Sequence, residues 1–262
     1  MNQIMSKDGT AIAFDRSGQG PTVILVGGAF QYRAIDPPTA HLAALLAEHF
    51  TVFHYDRRGR GESGDTQPYA IEREVEDLEA LIHESGGSAF VFGMSSGGVL
   101  ALDAAARGLA ITKLALYELP FNFGDEDARQ AAEHYTRQLT ALLNEGRWGD
   151  AVALAMTTWG APAEAIAGMR QTPIWPLFEV VAPTLAYDDA IMGDGSVATE
   201  RLASITVPTL VLDGGASPAF MPNAAQAVAH ALPNAKRRTL EGQTHDVAPQ
   251  VLAPVLVEFF QG

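Results

Sequence analysis

A serine flanked by glycines, between a predicted strand and a predicted helix, constrains this chain most. Residues 93–97 read Gly-Met-Ser-Ser-Gly, after the apolar run 88–92 and before the alanine-rich stretch 99–106. A strand that turns sharply into a helix exposes the middle residue above the sheet, and the flanking glycines avoid collisions with both elements. The pattern therefore predicts that Ser95 is a nucleophile and that the amide of Ser96 faces the developing oxyanion.

A glycine-rich phosphate loop is the competing interpretation of residues 93–97. The stretch lacks the Lys-Ser/Thr ending of a P-loop, and it lacks the glycine spacing of a dinucleotide fingerprint. The strand before it and the helix after it favour the nucleophile.

Composition limits the classes of protein and partner. The chain has 262 residues, 47% of them hydrophobic, which suffices for one large domain or for a core with an insertion. Its net charge of −14 makes nucleic acid and anionic membranes poor partners. The absence of cysteine excludes disulfides and thiolate chemistry. The chain shows neither a signal peptide nor a membrane-spanning run, so we expect a cytoplasmic protein without metal or cofactor; a homodimer stays open.

Apolar runs and helical spacing alternate along most of the chain, which predicts a mostly parallel α/β sheet with helices on both faces. The predicted strands are 10–16, 22–26, 51–55, 88–92, 111–117, 209–212 and 236–240, and the predicted helices outside the insertion are 37–48, 71–84, 223–232 and 251–260. Between them, helical stretches at 127–145, 148–159 and 161–169 occur without a clear strand. We therefore predict a core domain of residues 1–120 and 200–262 and a helical insertion of residues 121–199.

A histidine near the end of the chain is the candidate base. Residues 242–246 (Gly-Gln-Thr-His-Asp) follow the last predicted strand and precede the last predicted helix. This position puts His245 at the carboxyl ends of the strands, the edge where ligands bind in open α/β sheets. A serine nucleophile needs a base to remove its proton, and His245 is placed to be that base for Ser95.

The order of these motifs resembles that of the α/β-hydrolase superfamily. The matching features are the charged loop 55–63, residues 93–97, residues 207–212 and His245. The resemblance implies an eight-stranded sheet and an active site covered by a helical cap, formed by residues 121–199. It also implies that Ala29 supplies the second oxyanion amide, although Gly27 and Gly28 stand where many members have His-Gly. A backbone amide needs no particular side chain. We interpret the charged loop 55–63 as an ion-paired structural turn.

The acid of the predicted triad departs from the commoner pattern. Ser217 stands where most members have the aspartate, and a serine cannot carry the charge that stabilises an imidazolium. Glu118, at the end of the strand that follows the serine helix, occupies an alternative position used by some members and keeps the order Ser, Glu, His. Asp213 is a second candidate, but as the last residue of its strand it precedes the position from which a carboxylate would reach the histidine. Asp246 is adjacent to His245 in the chain, and adjacent side chains rarely point at each other's ring nitrogen.

Four short segments narrow the resemblance to the zearalenone-lactonase group. They are residues 95–97 (Ser-Ser-Gly), 118–120 (Glu-Leu-Pro), 173–175 (Pro-Ile-Trp) and 217–218 (Ser-Pro). That group opens a macrocyclic lactone with a serine–histidine–glutamate triad, and the resemblance implies that Trp175 is a cap residue in contact with the substrate. Prolines on both sides of Trp175 favour an exposed loop there. Phe30, Phe220 and Met221 are further candidates for an apolar substrate pocket.

The predicted reaction is acyl transfer to water. A serine hydrolase of this kind cleaves a carboxylic ester or lactone of a hydrophobic small molecule through an acyl-enzyme on Ser95. Haloalkane dehalogenases and epoxide hydrolases need a carboxylate nucleophile at this position. The serine at position 95 therefore excludes their usual chemistry. A carbon–carbon bond hydrolase or a perhydrolase would use the same triad. A non-catalytic small-molecule receptor is the alternative from a different class.

Overall fold

The computed structural model describes residues 2–121, 126–196 and 199–262, and its strands within these ranges form one sheet of eight. The strands are β1 (Asn2–Met5), β2 (Ala11–Ser17), β3 (Thr22–Val26), β4 (Thr51–Tyr55), β5 (Ala89–Met94), β6 (Ile111–Tyr117), β7 (Thr209–Gly214) and β8 (Ala235–Leu240). Their order in the sheet is β1-β2-β4-β3-β5-β6-β7-β8. β2 pairs antiparallel with both β1 and β4, and every other pair is parallel. The predicted fold is confirmed.

The helices lie on both faces of the sheet and in one block between β6 and β7. They are α1 (Pro37–Leu46), α2 (Ile71–Glu84), α3 (Ser95–Ala106), α4 (Glu126–Asn144), α5 (Trp148–Thr158), α6 (Ala163–Met169), α7 (Trp175–Val181), α8 (Leu185–Met192), α9 (Thr199–Ala203), α10 (Phe220–Ala231) and α11 (Pro249–Gln261).

Alternation of side chains along β3 divides the core into two layers. Ile24 and Val26 belong to the layer shared with α2, α3 and α10, whereas Val23 and Leu25 belong to the layer shared with α1 and α11. All five residues of β3 are buried, as expected for a parallel strand covered on both faces. Burial from both sides fixes the register of the central strands and therefore the positions of the loops at their carboxyl ends.

The helical insert, as described in residues 126–196 and 199–203, comprises α4 to α9 and has an apolar cluster of its own. Phe30 and Tyr32, from the loop after β3, pack into this cluster. The sequence predicted an insertion at residues 121–199; positions 122–125 and 197–198 of that range lie outside the described residues. The division into two domains stays a prediction.

The largest local difference from the sequence prediction is at α7, where we expected an exposed loop. Pro173 and Pro176 suggested an interruption, yet Pro176 lies in the first turn of α7. An amide in the first turn of a helix has no intrahelical acceptor, so proline is tolerated there. β1 was also missed, because its four residues are mostly exposed. Among the described helices, none is both long and apolar enough to cross a membrane.

Candidate active site

Ser95 lies at a sharp turn between β5 and α3. Its backbone is left-handed, with φ of 54°, a conformation that strains a residue with a side chain. Gly97 makes the turn possible, since a Cβ atom added there would lie 2.5 Å from the Val26 carbonyl oxygen. Close packing against β3 therefore holds the turn and leaves Ser95 partly accessible.

The two candidate oxyanion amides belong to Ser96, which follows this serine, and to Ala29, in the loop after β3. Ser96 is in the first turn of α3, where amides have no intrahelical acceptor. The loop after β3 passes close to the serine, since a Cβ atom added at Gly28 would lie 3.0 Å from the Cβ atom of Ser95. Among the described residues, none accepts a hydrogen bond from the Ala29 or Ser96 amide.

Glu118 and His245 are in direct contact. Glu118 follows β6 directly, and the preceding residue, Tyr117, pairs with Met94 of β5, so Glu118 and Ser95 leave neighbouring strands side by side. The Nδ1 atom of His245 lies 2.8 Å from Oε2 of Glu118. Because a carboxylate only accepts hydrogen bonds, Nδ1 carries the proton and Nε2 is the basic nitrogen.

Several groups hold the Glu118 carboxyl in its ionised form. Burial raises its pKa, but hydrogen bonding to His245, the nearby Ser217 hydroxyl and the Gly214 amide outweighs burial and holds the pKa below its usual value. The Gly214 amide donates to Oε1 at 2.8 Å. The Ser217 hydroxyl is buried and lies close to the Glu118 carboxyl.

Tyr117, which the sequence analysis missed, supports the loop that carries His245. Its hydroxyl donates to the Thr244 carbonyl oxygen at 2.5 Å. The Gln243 carbonyl oxygen accepts from the Ala216 amide at 2.8 Å, which ties the same loop to the end of β7. A tyrosine next to the candidate acid at a strand end is the only sequence signal that could have indicated this role.

The other two candidate acids are placed elsewhere. Asp213 is fully buried, and its carboxylate binds Arg237 through two hydrogen bonds of 2.7 and 3.0 Å and also accepts from the Thr239 hydroxyl. Asp213 thus links β7 to β8 and is not in contact with His245. Asp246 is exposed to solvent. The structure therefore brings Glu118, and neither aspartate, into contact with His245.

Aromatic rings from the helical insert cover Phe30, next to the candidate oxyanion residue Ala29. Phe30 has a positive φ of 62° and is 9% exposed. Its ring centroid lies 5.5 Å from that of Trp159 and 5.0 Å from that of Phe178. Trp159, just after α5, is 51% exposed and was not singled out from the sequence, which offers no signal for it. These rings form an apolar surface beside the loop after β3.

Trp175 does not lie in an exposed loop, so that expectation is wrong. It begins α7, is 4% exposed and packs in the apolar cluster of the insert. Its Nε1 donates to Glu179 at 2.7 Å, and Arg170 stacks over its ring. Phe220 and Met221 begin α10, just after β7; Phe220 is exposed and Met221 is buried. Contact of these three residues with a substrate stays a prediction.

The charged loop after β4 is the ion-paired turn that the sequence predicted. The Arg57 guanidinium binds Glu74 of α2 at 2.7 Å, and the Arg58 guanidinium binds Asp77 of the same helix at 2.7 Å. All four side chains are buried. Within the described ranges, no group of three or more histidine and acidic side chains is arranged to hold a metal ion.

The mostly parallel sheet, the serine at the strand–helix turn and the histidine–carboxylate contact define the class of α/β hydrolases. Comparison with known proteins agrees. The chain belongs to the alpha/beta hydrolase family, whose family model matches residues 23–256.

Individual proteins and solved structures are also similar to this chain. The chain is similar to a crystal structure of an alpha/beta hydrolase from Sphaerobacter thermophilus, with 55% identity, a TM-score of 0.88, and coverage of 99% of this chain and 100% of that one. An enol-lactonase from Burkholderia xenovorans has the same fold, with 23% identity, a TM-score of 0.72 and full coverage of both chains. The uncharacterized hydrolase YraK of Bacillus subtilis is 32% identical over 114 residues, which span 40% of each chain.

Proposed function

We propose that this hydrolase cleaves a carboxylic ester or lactone of a hydrophobic small molecule, with Ser95 as nucleophile, His245 as base and Glu118 as acid. The observation that carries the proposal is the 2.8 Å contact between Glu118 and the Nδ1 atom of His245, at the end of the strand beside Ser95. It leaves Nε2 unprotonated to serve as the base.

The proposed reaction proceeds through an acyl-enzyme. The Oγ atom of Ser95 attacks the carbonyl carbon while Nε2 of His245 takes its proton, and the Ala29 and Ser96 amides stabilise the oxyanion. The tetrahedral intermediate collapses as His245 gives this proton to the departing alkoxide. Water then loses a proton to His245 and attacks the acyl carbon. The second collapse returns the proton to Ser95 and releases the carboxylic acid.

The aromatic surface next to Ala29 supports a hydrophobic substrate. Phe30, Trp159 and Phe178 come together there, and the half-exposed Trp159 leaves apolar area open to a ligand. We further propose that the helical insert acts as the cap over the site. The fold shared with an enol-lactonase and the resemblance to the zearalenone-lactonase group make lactones, including macrocyclic ones, the substrates to test first.

Substitution of the nucleophile is the first test. Ser95→Ala removes the proposed nucleophile, so we expect hydrolysis of p-nitrophenyl esters and of a lactone panel to fall by at least about 10³-fold. A fluorophosphonate should modify the wild-type protein at Ser95, as located by peptide mass spectrometry, and abolish its activity.

Ser88→Ala is the matched control, because Ser88 is an exposed serine just before β5. It should keep wild-type activity and labelling. Retained turnover in Ser95→Ala would contradict the proposal. Ligand binding by the wild type without turnover or labelling would instead support the small-molecule receptor.

A further inference from the structure

A buried cluster of charges lies behind the oxyanion loop, defined as residues 27–30. Arg57, Arg60 and Asp188 are 2%, 1% and 5% exposed. Asp188 comes from α8 of the helical insert, whereas both arginines come from the loop after β4. Asp188 accepts from Arg57 at 2.7 Å and from Arg60 at 2.6 Å. Burial raises the pKa of Asp188, but the two guanidinium groups outweigh burial and hold it below its usual value, so the carboxylate stays charged.

Arg60 also binds the peptide unit that carries one of the two oxyanion amides. Its Nη1 donates to the Gly28 carbonyl oxygen at 2.5 Å. The carbonyl of Gly28 and the amide of Ala29 belong to the same planar trans peptide unit, in which C=O and N–H point in opposite directions. A side chain that fixes the Gly28 carbonyl therefore fixes the direction of the Ala29 amide.

The insert holds Arg60 from two further sides. Thr184, in a short 3₁₀ turn just before α8, accepts from Nε of Arg60 at 3.0 Å. Asp188 binds the Nη2 atom and also accepts from the Ser96 hydroxyl at 2.7 Å. Ser96 carries the other oxyanion amide. One carboxylate of the insert is thus bonded directly to Ser96 and, through Arg60, to the peptide unit that carries the Ala29 amide.

We propose that Arg60, held by Asp188 and Thr184 of the insert, is a positioning residue that orients the Ala29 amide toward the oxyanion on the reacting carbonyl. This inference rests on the proposed function, since it requires an oxyanion to form at Ser95. Arg60 acts through the peptide unit and does not touch the substrate. A guanidinium hydrogen-bonded to the carbonyl also polarises that peptide unit and strengthens its N–H as a donor. The insert thereby contributes to the geometry of the oxyanion hole.

Arg60→Lys tests this role while keeping the charge. A lysine has one nitrogen and cannot occupy the three separate positions that bind Thr184, Gly28 and Asp188. Loss of a complete oxyanion donor lowers kcat by about 10²- to 10³-fold, so misalignment of the Ala29 amide should lower it by about 10- to 100-fold. KM should change little, because the oxyanion exists only in the transition state. Affinity for an aryl boronic acid, which forms a tetrahedral adduct on the serine, should fall by a similar factor.

Arg58→Lys is the matched control. Arg58 lies in the same loop, is fully buried and binds Asp77 and Asp8, but its side chain contacts none of the residues of the oxyanion loop. It should lower Tm about as much as Arg60→Lys while keeping kcat and boronic acid affinity near those of the wild type. Equal losses of kcat in both variants, or unchanged boronic acid affinity in Arg60→Lys, would overturn the inference.

Thr184→Val is the second variant, should Arg60→Lys not fold. It removes the acceptor for Nε of Arg60 without changing any charge, and we expect kcat to fall by about 3- to 10-fold at constant KM. Unchanged kcat would count against the inference. The two proposals fail in different ways: activity retained in Ser95→Ala refutes the proposed function, whereas labelling at Ser95 with equal effects of the two arginine variants refutes only the role of Arg60.

Discussion

Backbone strain is concentrated at three residues of the candidate site. Among the described residues, Phe30, Ser95 and Glu118 are the non-glycine residues with positive φ, and they follow β3, β5 and β6, which are adjacent in the sheet. Each such conformation costs on the order of 1–3 kcal/mol and persists only where the surroundings enforce it. Buried parallel strands provide that enforcement, so each side chain leaves its strand in a fixed direction.

Glu118→Gln tests whether Glu118 is the acid of the proposed triad. The amide keeps the size of the side chain but no longer carries the charge that stabilises an imidazolium. We expect kcat for ester hydrolysis to fall by about 10³- to 10⁴-fold, with circular dichroism unchanged.

The double variant Glu118→Gln/Ser217→Asp is the companion measurement. Ser217 lies beside the Glu118 carboxyl, at the usual position of the acid, so an aspartate there restores a negative charge near His245. The double variant should be more active than Glu118→Gln alone. Near wild-type kcat in Glu118→Gln would remove Glu118 from the triad.

Residues at strand ends were predictable, and residues that act through long-range packing were not. Glu118 and His245 follow from the positions of the strands, which apolar runs indicate directly. Asp188 and Arg60 are 128 positions apart and meet only because the insert folds back over the loop after β4. No local pattern in the sequence of the insert distinguishes Asp188 from the other acids of the insert.

At the scale of elements, the buried strands were the most predictable part and the helices of the insert the least. β3, β4 and β6 begin and end where their apolar runs do. In the insert, prolines suggested a break where the structure has helix α7, because proline at a helix start has the same sequence signal as proline that ends a helix. Only the tertiary packing around Trp175 and Leu185 decides between the two.

The strand–helix turn gives a stability prediction. Gly97→Ala would bring a Cβ atom within 2.5 Å of the Val26 carbonyl oxygen, a backbone atom that cannot move without disturbing β3. We expect the free energy of unfolding to fall by about 2–3 kcal/mol or more, measured by urea titration.

Gly168→Ala in α6 is the matched control. A Cβ atom there would meet nothing within 4 Å, so the change should be neutral or stabilise by up to about 1 kcal/mol. Equal stability of the two variants would contradict the close packing at the turn.

At the scale of the whole molecule, carboxylates with shifted pKa values link stability to pH. Burial raises the pKa of Asp8, Glu118 and Asp188, but cations and hydrogen bonds outweigh it and hold all three below their usual values. Asp77 and Asp189 have pKa values raised by burial and act in the opposite direction. The carboxylates of Asp8, Glu118 and Asp188 bind protons more readily in the unfolded chain than in the folded protein. Their contribution to the free energy of unfolding is therefore present above about pH 4, and it is lost as the pH falls through their pKa values in the folded protein.

Urea unfolding between about pH 7 and about pH 3 measures this linkage. We expect the free energy of unfolding to decrease below about pH 4 in the wild type. The decrease should be smaller in Glu118→Gln, which has one fewer carboxyl with a lowered pKa. An identical pH dependence in the two proteins would show that Glu118 binds protons equally in the folded and unfolded states.

The outermost strand β8 presents Lys236, Arg237 and Arg238 in succession, all exposed, at one border of the sheet. Unpaired strand borders are templates for aggregation, and cations along them are a common defence. Two copies joined side by side through β8 would set the same basic triplets against each other. We therefore expect the cations of β8 to oppose continuation of the sheet at this border.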